Sequence, residues 1–366
     1  MDRFQGSLIA GKWAKPTNGG GVMAMSRSKE KSAVDEAAEQ QLGLTNWWGI
    51  ATFFRCAIET DPDKADIALV GVPHSSGNGT TERDQHLGPR AVRNVSPEYR
   101  RLHREFGFAP WDRCRIADFG DVPLPRAMDN DDTMRDIEAW YRGLDAASTR
   151  PVSTGGDHSI TLPILRAIAG RDSTLSGEPV AVVHFDAHHD TYSVDELGAT
   201  HYLGNDEWAG AWGRIMAEEG LVDPDRVTQI GMRGHEFSPN DGIESRRLGY
   251  RVIYKEEFDQ LGVDAVVSEV RDRVGGAPTY ITFDLDVLDT TVAPGVANLE
   301  PGYPGMTMIE AMKVLQGLRG LNIVGADVVC LMPTKDNPNN ITSINASVIL
   351  FEQICLIADC LKESSA

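Results

Sequence analysis

Cysteine is scarce in this chain: five in 366 residues, an odd number, and none of Cys56, Cys114, Cys330, Cys355 and Cys360 forms a Cys-x-x-Cys pair. That excludes a disulfide scaffold and a thiolate zinc site, and reduced thiols point to a cytoplasmic protein. Basic charge is also short. Against 54 Asp and Glu stand only 35 Lys and Arg, a formal net charge of -19. With no basic patch, nucleic acid is excluded as a partner, and the field modestly favours small cations. Long apolar runs are missing too. Ser7-Leu8-Ile9-Ala10-Gly11 is too short for the apolar core of a signal peptide. Ile344 to Leu361 is interrupted by Asn345, Glu352, Gln353 and Asp359, so it reads as a packed or interfacial helix with no membrane partner.

What is present suffices for a large core, with 41% hydrophobic residues. Candidate strands fall at Ile67 to Val72, Arg115 to Phe119, Val152 to Thr154, Val180 to Phe185, Val227 to Gly231, Arg251 to Tyr254, Thr279 to Phe283 and Ile323 to Val329. Helical patterns separate most of them, which predicts an α/β domain with a mainly parallel eight-stranded sheet covered by helices on both faces. Residues 1–46, with Gly19-Gly20-Gly21 and few apolar side chains, read as an N-terminal extension or assembly arm, and 47–366 as one catalytic domain.

Three motifs concentrate acid and imidazole where strands end: Gly155-Gly156-Asp157-His158-Ser159, Asp186-Ala187-His188-His189-Asp190 and Asp284-Leu285-Asp286-Val287-Leu288-Asp289. If the chain stays extended past Phe185, residues i, i+2 and i+4 share a face. Asp186, His188 and Asp190 then converge while His189 points away, and Asp284 and Asp286 do the same one strand over. His158 follows its own strand and a Gly-Gly turn. Each motif alone reads as a turn or a helix cap. Together, four carboxylates and two imidazoles suit two divalent ions rather than a structural zinc. Such ions, roughly 3.5 to 4 Å apart, can share a water and bring its pKa towards neutrality, which implies a hydroxide nucleophile.

At these residues the chain resembles the ureohydrolases, the family of arginase and agmatinase. The resemblance runs from about Trp48 to the C-terminus and includes Leu87-Gly88-Pro89-Arg90-Ala91-Val92-Arg93. It implies a single-domain, three-layer arginase-like fold and hydrolysis of a C–N bond in a small cationic guanidino substrate. One metal would lie on His158, Asp186, Asp190 and Asp284, the other on Asp186, His188, Asp284 and Asp286, with Asp186 and Asp284 bridging. Asp190 would orient the attacking group, and His201 would shuttle a proton to the leaving amine. A trimer or hexamer is implied, or a hetero-oligomer with a homologous subunit.

Cys330 is the informative departure, since arginases and agmatinases carry there a Glu that holds the guanidinium. A thiol cannot make paired, charge-assisted hydrogen bonds. With Gly77 to His86 and the doubled histidine His188-His189, this leans towards the guanidine hydrolase and metformin hydrolase branch, and so towards nickel over manganese. The alternatives are an agmatinase or guanidinobutyrase, or a metal-binding structural partner of a homologous catalytic chain. A single-zinc deacetylase of the same fold fits less well, because it does not need the His158 ligand.

Overall fold

The computed structural model describes residues 49–78, 83–96, 100–193, 204–236, 240, 242–300 and 302–364. The extension 1–46 and the candidate proton donor His201 lie outside the described residues. Among the described residues eight strands are formed: β1 Ile67–Val72, β2 Ile116–Asp121, β3 Arg150–Gly155, β4 Val180–Phe185, β5 Val222–Met232, β6 Arg251–Tyr254, β7 Thr279–Asp284 and β8 Ile323–Val329. Their order is β2-β1-β3-β8-β7-β4-β5-β6, and every pairing is parallel. The helices are α1 Gly88–Val95, α2 Asn130–Ala146, α3 Thr161–Ile168, α4 Trp212–Glu218, α5 Ile243–Leu248, α6 Lys255–Leu261, α7 Val263–Val274, α8 Met308–Gly317 and α9 Ile341–Ser364.

Both faces of the sheet are buried, which is why the strands read as continuous apolar runs. On β4, Ala181, Val183 and Phe185 join the core under α1, α6, α7, α8 and α9. Val180 and Val182 face the other way, into the core under α2, α3 and α4. Strand β5 starts five residues earlier than its apolar pattern suggests. Val222 pairs with Val180, after which the register slips so that Val227 meets Val182. The slip accommodates Pro224, which has no N–H for the ladder.

Helix α9 contains a 21-residue segment, Ile341–Leu361, long and apolar enough to cross a membrane, yet 83% of that window is buried inside the protein. Each of its four polar interruptions has at least one partner. Asn345 Nδ2 donates to Val292 O (2.8 Å) and Gln353 Nε2 to Asp327 O (2.7 Å). Glu352 meets His103 Nε2 (2.9 Å) and Gln316 Nε2 (3.1 Å), while Asp359 takes Arg113 and Arg319 (both 2.7 Å). The helix is a core helix.

Register places the motifs. Phe185 pairs with Phe283, and their rings stack with centroids 5.0 Å apart. Asp186 and Asp284, the next residue on each strand, therefore emerge side by side. Asp284 pairs with Val329 on β8, so Cys330 follows beside them. The four central strands thus open their carboxyl ends on one crevice, where parallel sheets of this kind hold ligands.

Candidate metal centre

Each of the three motifs ends its strand in the same way. Asp157, Asp186 and Asp284 accept, through Oδ1, the backbone N–H two residues on: Ser159 (3.0 Å), His188 (2.7 Å) and Asp286 (2.9 Å). These are Asx turns, in which a short carboxylate substitutes for the next sheet hydrogen bond and bends the chain. Continued extension, which strand parity assumed, does not occur past Phe185, and Asp190 has a left-handed φ of 51°. Convergence comes from the bends instead. The Gly-Gly turn before His158 has a steric reason, since a Cβ on Gly156 would lie 2.0 Å from His74 O.

The bends bring six side chains together. His158 Nδ1 lies 2.9 Å from Asp186 Oδ2, 3.0 Å from Asp190 Oδ2 and 3.2 Å from Asp284 Oδ2. His188 Nδ1 lies 3.3 Å from Asp186 Oδ1 and 3.2 Å from Asp286 Oδ2. Two ligand atoms about 2.1 Å from one ion and at right angles around it are about 3 Å apart, so these spacings are those of donors sharing a cation. Asp186 offers one oxygen to each group, the placement of a bridging carboxylate. His158 Nδ1 makes no hydrogen bond even with three carboxylate oxygens around it. A buried ring nitrogen without a partner, facing acid on three sides, fits a metal ligand.

Electrostatics agree with the donor chemistry. Burial pushes Asp286 well up, and the carboxylate of Asp284 adds to the push; Asp190 is raised by burial and by Asp186. Burial opposes charge on His158 and His188, but the surrounding carboxylates outweigh it and raise both imidazoles well above their ordinary range. Asp186 is held well below the carboxylate range, its burial overridden by the imidazoles of His158, His184 and His188 around it. Positive charge is in demand at this spot, and divalent cations supply it.

His158, His188, Asp190, Asp284 and Asp286, with Asp186 buried behind them, line a cavity of about 280 Å³ whose walls include Asn78, Asp157, Tyr192, Trp208, Asn298, Glu300 and Cys330. Tyr192 and Trp208 stack at 5.8 Å. Asp157 is fully buried, and its Oδ2 has no hydrogen-bond partner. Cys330 sits in the left-handed region at φ 66°, its thiol pushed well up by burial and by Asp284 and Asp286. His189 belongs to neither ligand group. Its ring meets Tyr254 edge-on, Nε2 lies 3.3 Å from the Tyr254 hydroxyl, and burial lowers its pKa to about 4.

Several participants escape a reading by motif. Glu300 takes His188 Nε2 at 2.8 Å, and the Trp212 indole donates to Asp190 Oδ2 at 2.8 Å. His184 also falls within the group formed by His158, Asp186 and Asp190, with Nε2 2.8 Å from Asp186 Oδ2. A histidine in the apolar run of β4, two residues before Asp186, was a visible signal for the last. Nothing local marks Glu300 or Trp212, which arrive from distant loops and helices.

Comparison with known proteins matches residues 65–355 to the sequence model of the arginase family. A guanidinopropionase of Pseudomonas aeruginosa is 43% identical over 318 residues, covering 87% of this chain and 94% of that protein. A mitochondrial agmatinase of Gallus gallus is 36% identical, covering 84% and 86%. Among solved structures, proclavaminate amidino hydrolase from Streptomyces clavuligerus superimposes with a TM-score of 0.78 at 31% identity, over 86% of this chain and 99% of that one.

Proposed function

The chain belongs to the arginase family, and from that premise we propose that it is a two-metal amidinohydrolase releasing urea from a short ω-guanidino compound, a guanidino acid ahead of agmatine. The observation that carries the proposal is the pair of donor groups that share the buried Asp186 beside the cavity. Two divalent ions held there would polarise the guanidino group and bring a shared water's pKa towards neutrality. His158, Asp186, Asp190 and Asp284 would hold one, and Asp186, His188, Asp284 and Asp286 the other. Oxygen-rich donors with two imidazoles suit manganese, and nickel is the alternative.

The chain's own residues do the rest. Asp190, held by the Trp212 indole at Oδ2, would orient the attacking group. Glu300 locks the His188 ring through Nε2. The unpartnered Asp157 Oδ2 makes the wall attractive to a guanidinium. His201 would deliver a proton to the departing amine. We place the protein in the cytoplasm, as a trimer or hexamer.

A guanidine or biguanide substrate, the sequence's first expectation, becomes the second reading. The relatives are named for guanidinopropionate and agmatine, while the pocket-lining thiol of Cys330 still favours the compact compounds. A panel of guanidinopropionate, guanidinobutyrate, agmatine, arginine, guanidine and metformin, run with Mn²⁺ and Ni²⁺ separately while urea and amine are quantified, decides it. Turnover led by a guanidino acid is expected. Turnover confined to guanidine or metformin would move the assignment, and none at all would favour a structural partner chain.

A further inference from the structure

One residue layer beneath the ligands, the sheet carries a row of polar side chains where strands of this kind are otherwise apolar. Register pairs Asp327 on β8 with Thr282 on β7, Thr282 with His184 on β4, and His184 with Gln229 on β5. All four are fully buried or within 1% of it. Burying four polar groups in a row costs stability unless each is hydrogen-bonded, so their pattern is informative.

The direction of each hydrogen bond can be assigned. The Asp327 carboxylate accepts from Thr161 Oγ1 (2.8 Å), Tyr280 OH (2.8 Å) and Thr282 Oγ1 (2.6 Å). Having donated its only hydrogen to Asp327, the Thr282 hydroxyl can only accept from His158 Nε2, 2.8 Å away. His158 therefore carries its proton on Nε2 and turns the Nδ1 lone pair to the cluster. At the other end, Gln229 Nε2 lies 2.6 Å from the His189 carbonyl, which fixes it as the donor. Its second hydrogen reaches His184 Nδ1 at 3.1 Å. His184 must then be protonated on Nε2, and it donates to Asp186 Oδ2. Proximity alone groups His184 with the ligands, but its lone pair points at Gln229 and away from the cluster.

We propose that this row, with Asp327 and Thr282 at one end and Gln229 at the other, is a positioning device: it commits His158 Nδ1 to the cation and keeps His184 a donor to Asp186. The proposal rests on the metal-site part of the function proposed above. Its residues touch neither substrate nor ion, and they act through the rings they hold.

The test needs no substrate. Metal-free protein and its Thr282→Val and Thr282→Ser variants are titrated with Mn²⁺ against a chromophoric chelator. Val keeps the branched shape a strand prefers but removes the acceptor. It is expected to weaken the ion on the His158 side by roughly 10- to 100-fold, leaving the His188-side ion almost unchanged, and Ser is expected to recover most of the loss. Equal binding by wild type and Thr282→Val, or a Ser variant as weak as Val, would overturn the proposal. If Thr282→Val fails to fold, NMR of isotope-labelled histidine in the unsubstituted metal-free protein reads the tautomers directly. Read at a pH high enough to neutralise the raised His158 ring, Nε2–H on both His158 and His184 is expected, and a neutral ring with its proton on Nδ1 in either sinks the idea. A chain inert towards every guanidino compound would refute the function and leave these readouts standing.

Discussion

Two buried acidic regions of this molecule look alike in sequence and differ in kind. On α9, Glu352 and Asp359 are each met by partners from the chain itself: His103 and Gln316 for the first, Arg113 and Arg319 for the second. At the carboxyl ends of β4 and β7, Asp186, Asp190, Asp284 and Asp286 crowd one another, four carboxylates met by the three imidazoles of His158, His184 and His188. One acid raises the next there, as Asp284 raises Asp286. A buried acid whose counter-ion is built into the fold is structural, whereas a cluster short of positive charge implies ions from outside.

The largest effect that separates the two regions is expected from Asp284→Asn. It should cut urea release by roughly 10³-fold or more, because several kcal/mol of charge stabilisation is lost with the ion. Metal analysis should show less than full loading, while the melting temperature of the metal-free protein barely moves. Full loading with full activity would make this cluster as self-contained as the other.

Glu352→Ala should do the opposite. Breaking a buried pair leaves the partner desolvated and alone, at about 3 kcal/mol of stability. Denaturant unfolding of the metal-free protein should report that loss, with metal stoichiometry unchanged at temperatures where the variant is folded. A variant as stable as wild type would mean that solvent reaches His103 and Gln316.

The smallest effect is a pH dependence. Hydrogen bonds from Arg319, then Arg113, hold the Asp359 carboxyl below its ordinary value of 3.8, against the opposing push of burial. A folded pKa below the unfolded one contributes stability that is complete above the unfolded value and fades as pH falls through the folded one. Melting temperatures of wild type and Asp359→Asn should therefore differ at neutral pH and converge in acid below that ordinary value. A gap that persists in strong acid would assign the loss to packing.

Much of this was legible beforehand, and for identifiable reasons. The strand β4 could be located because a strand buried on both faces needs apolar residues at every position. The six candidate ligands stood out because acid and imidazole clustered where those runs stop. Extension past Phe185 was misjudged, since an Asp can take the N–H two residues on and turn the chain, which leaves no trace in hydrophobic periodicity. Cys330 was visible as a departure, but its left-handed backbone and its place beside Asp284 were not. His184 was visible as a lone histidine in an apolar run, without its direction.

What the sequence determined by itself is local: buried strands from unbroken apolar runs, turns from Asp and Gly at their ends, and a ligand chemistry from the residue types placed there. What only the tertiary structure decided is which of these meet. Register set Asp186 beside Asp284 and Thr282 between Asp327 and His184, and it brought Glu300 and Trp212 to His188 and Asp190 from far along the chain. Strand order and register are fixed by packing across the whole sheet, so no short window of residues contains them.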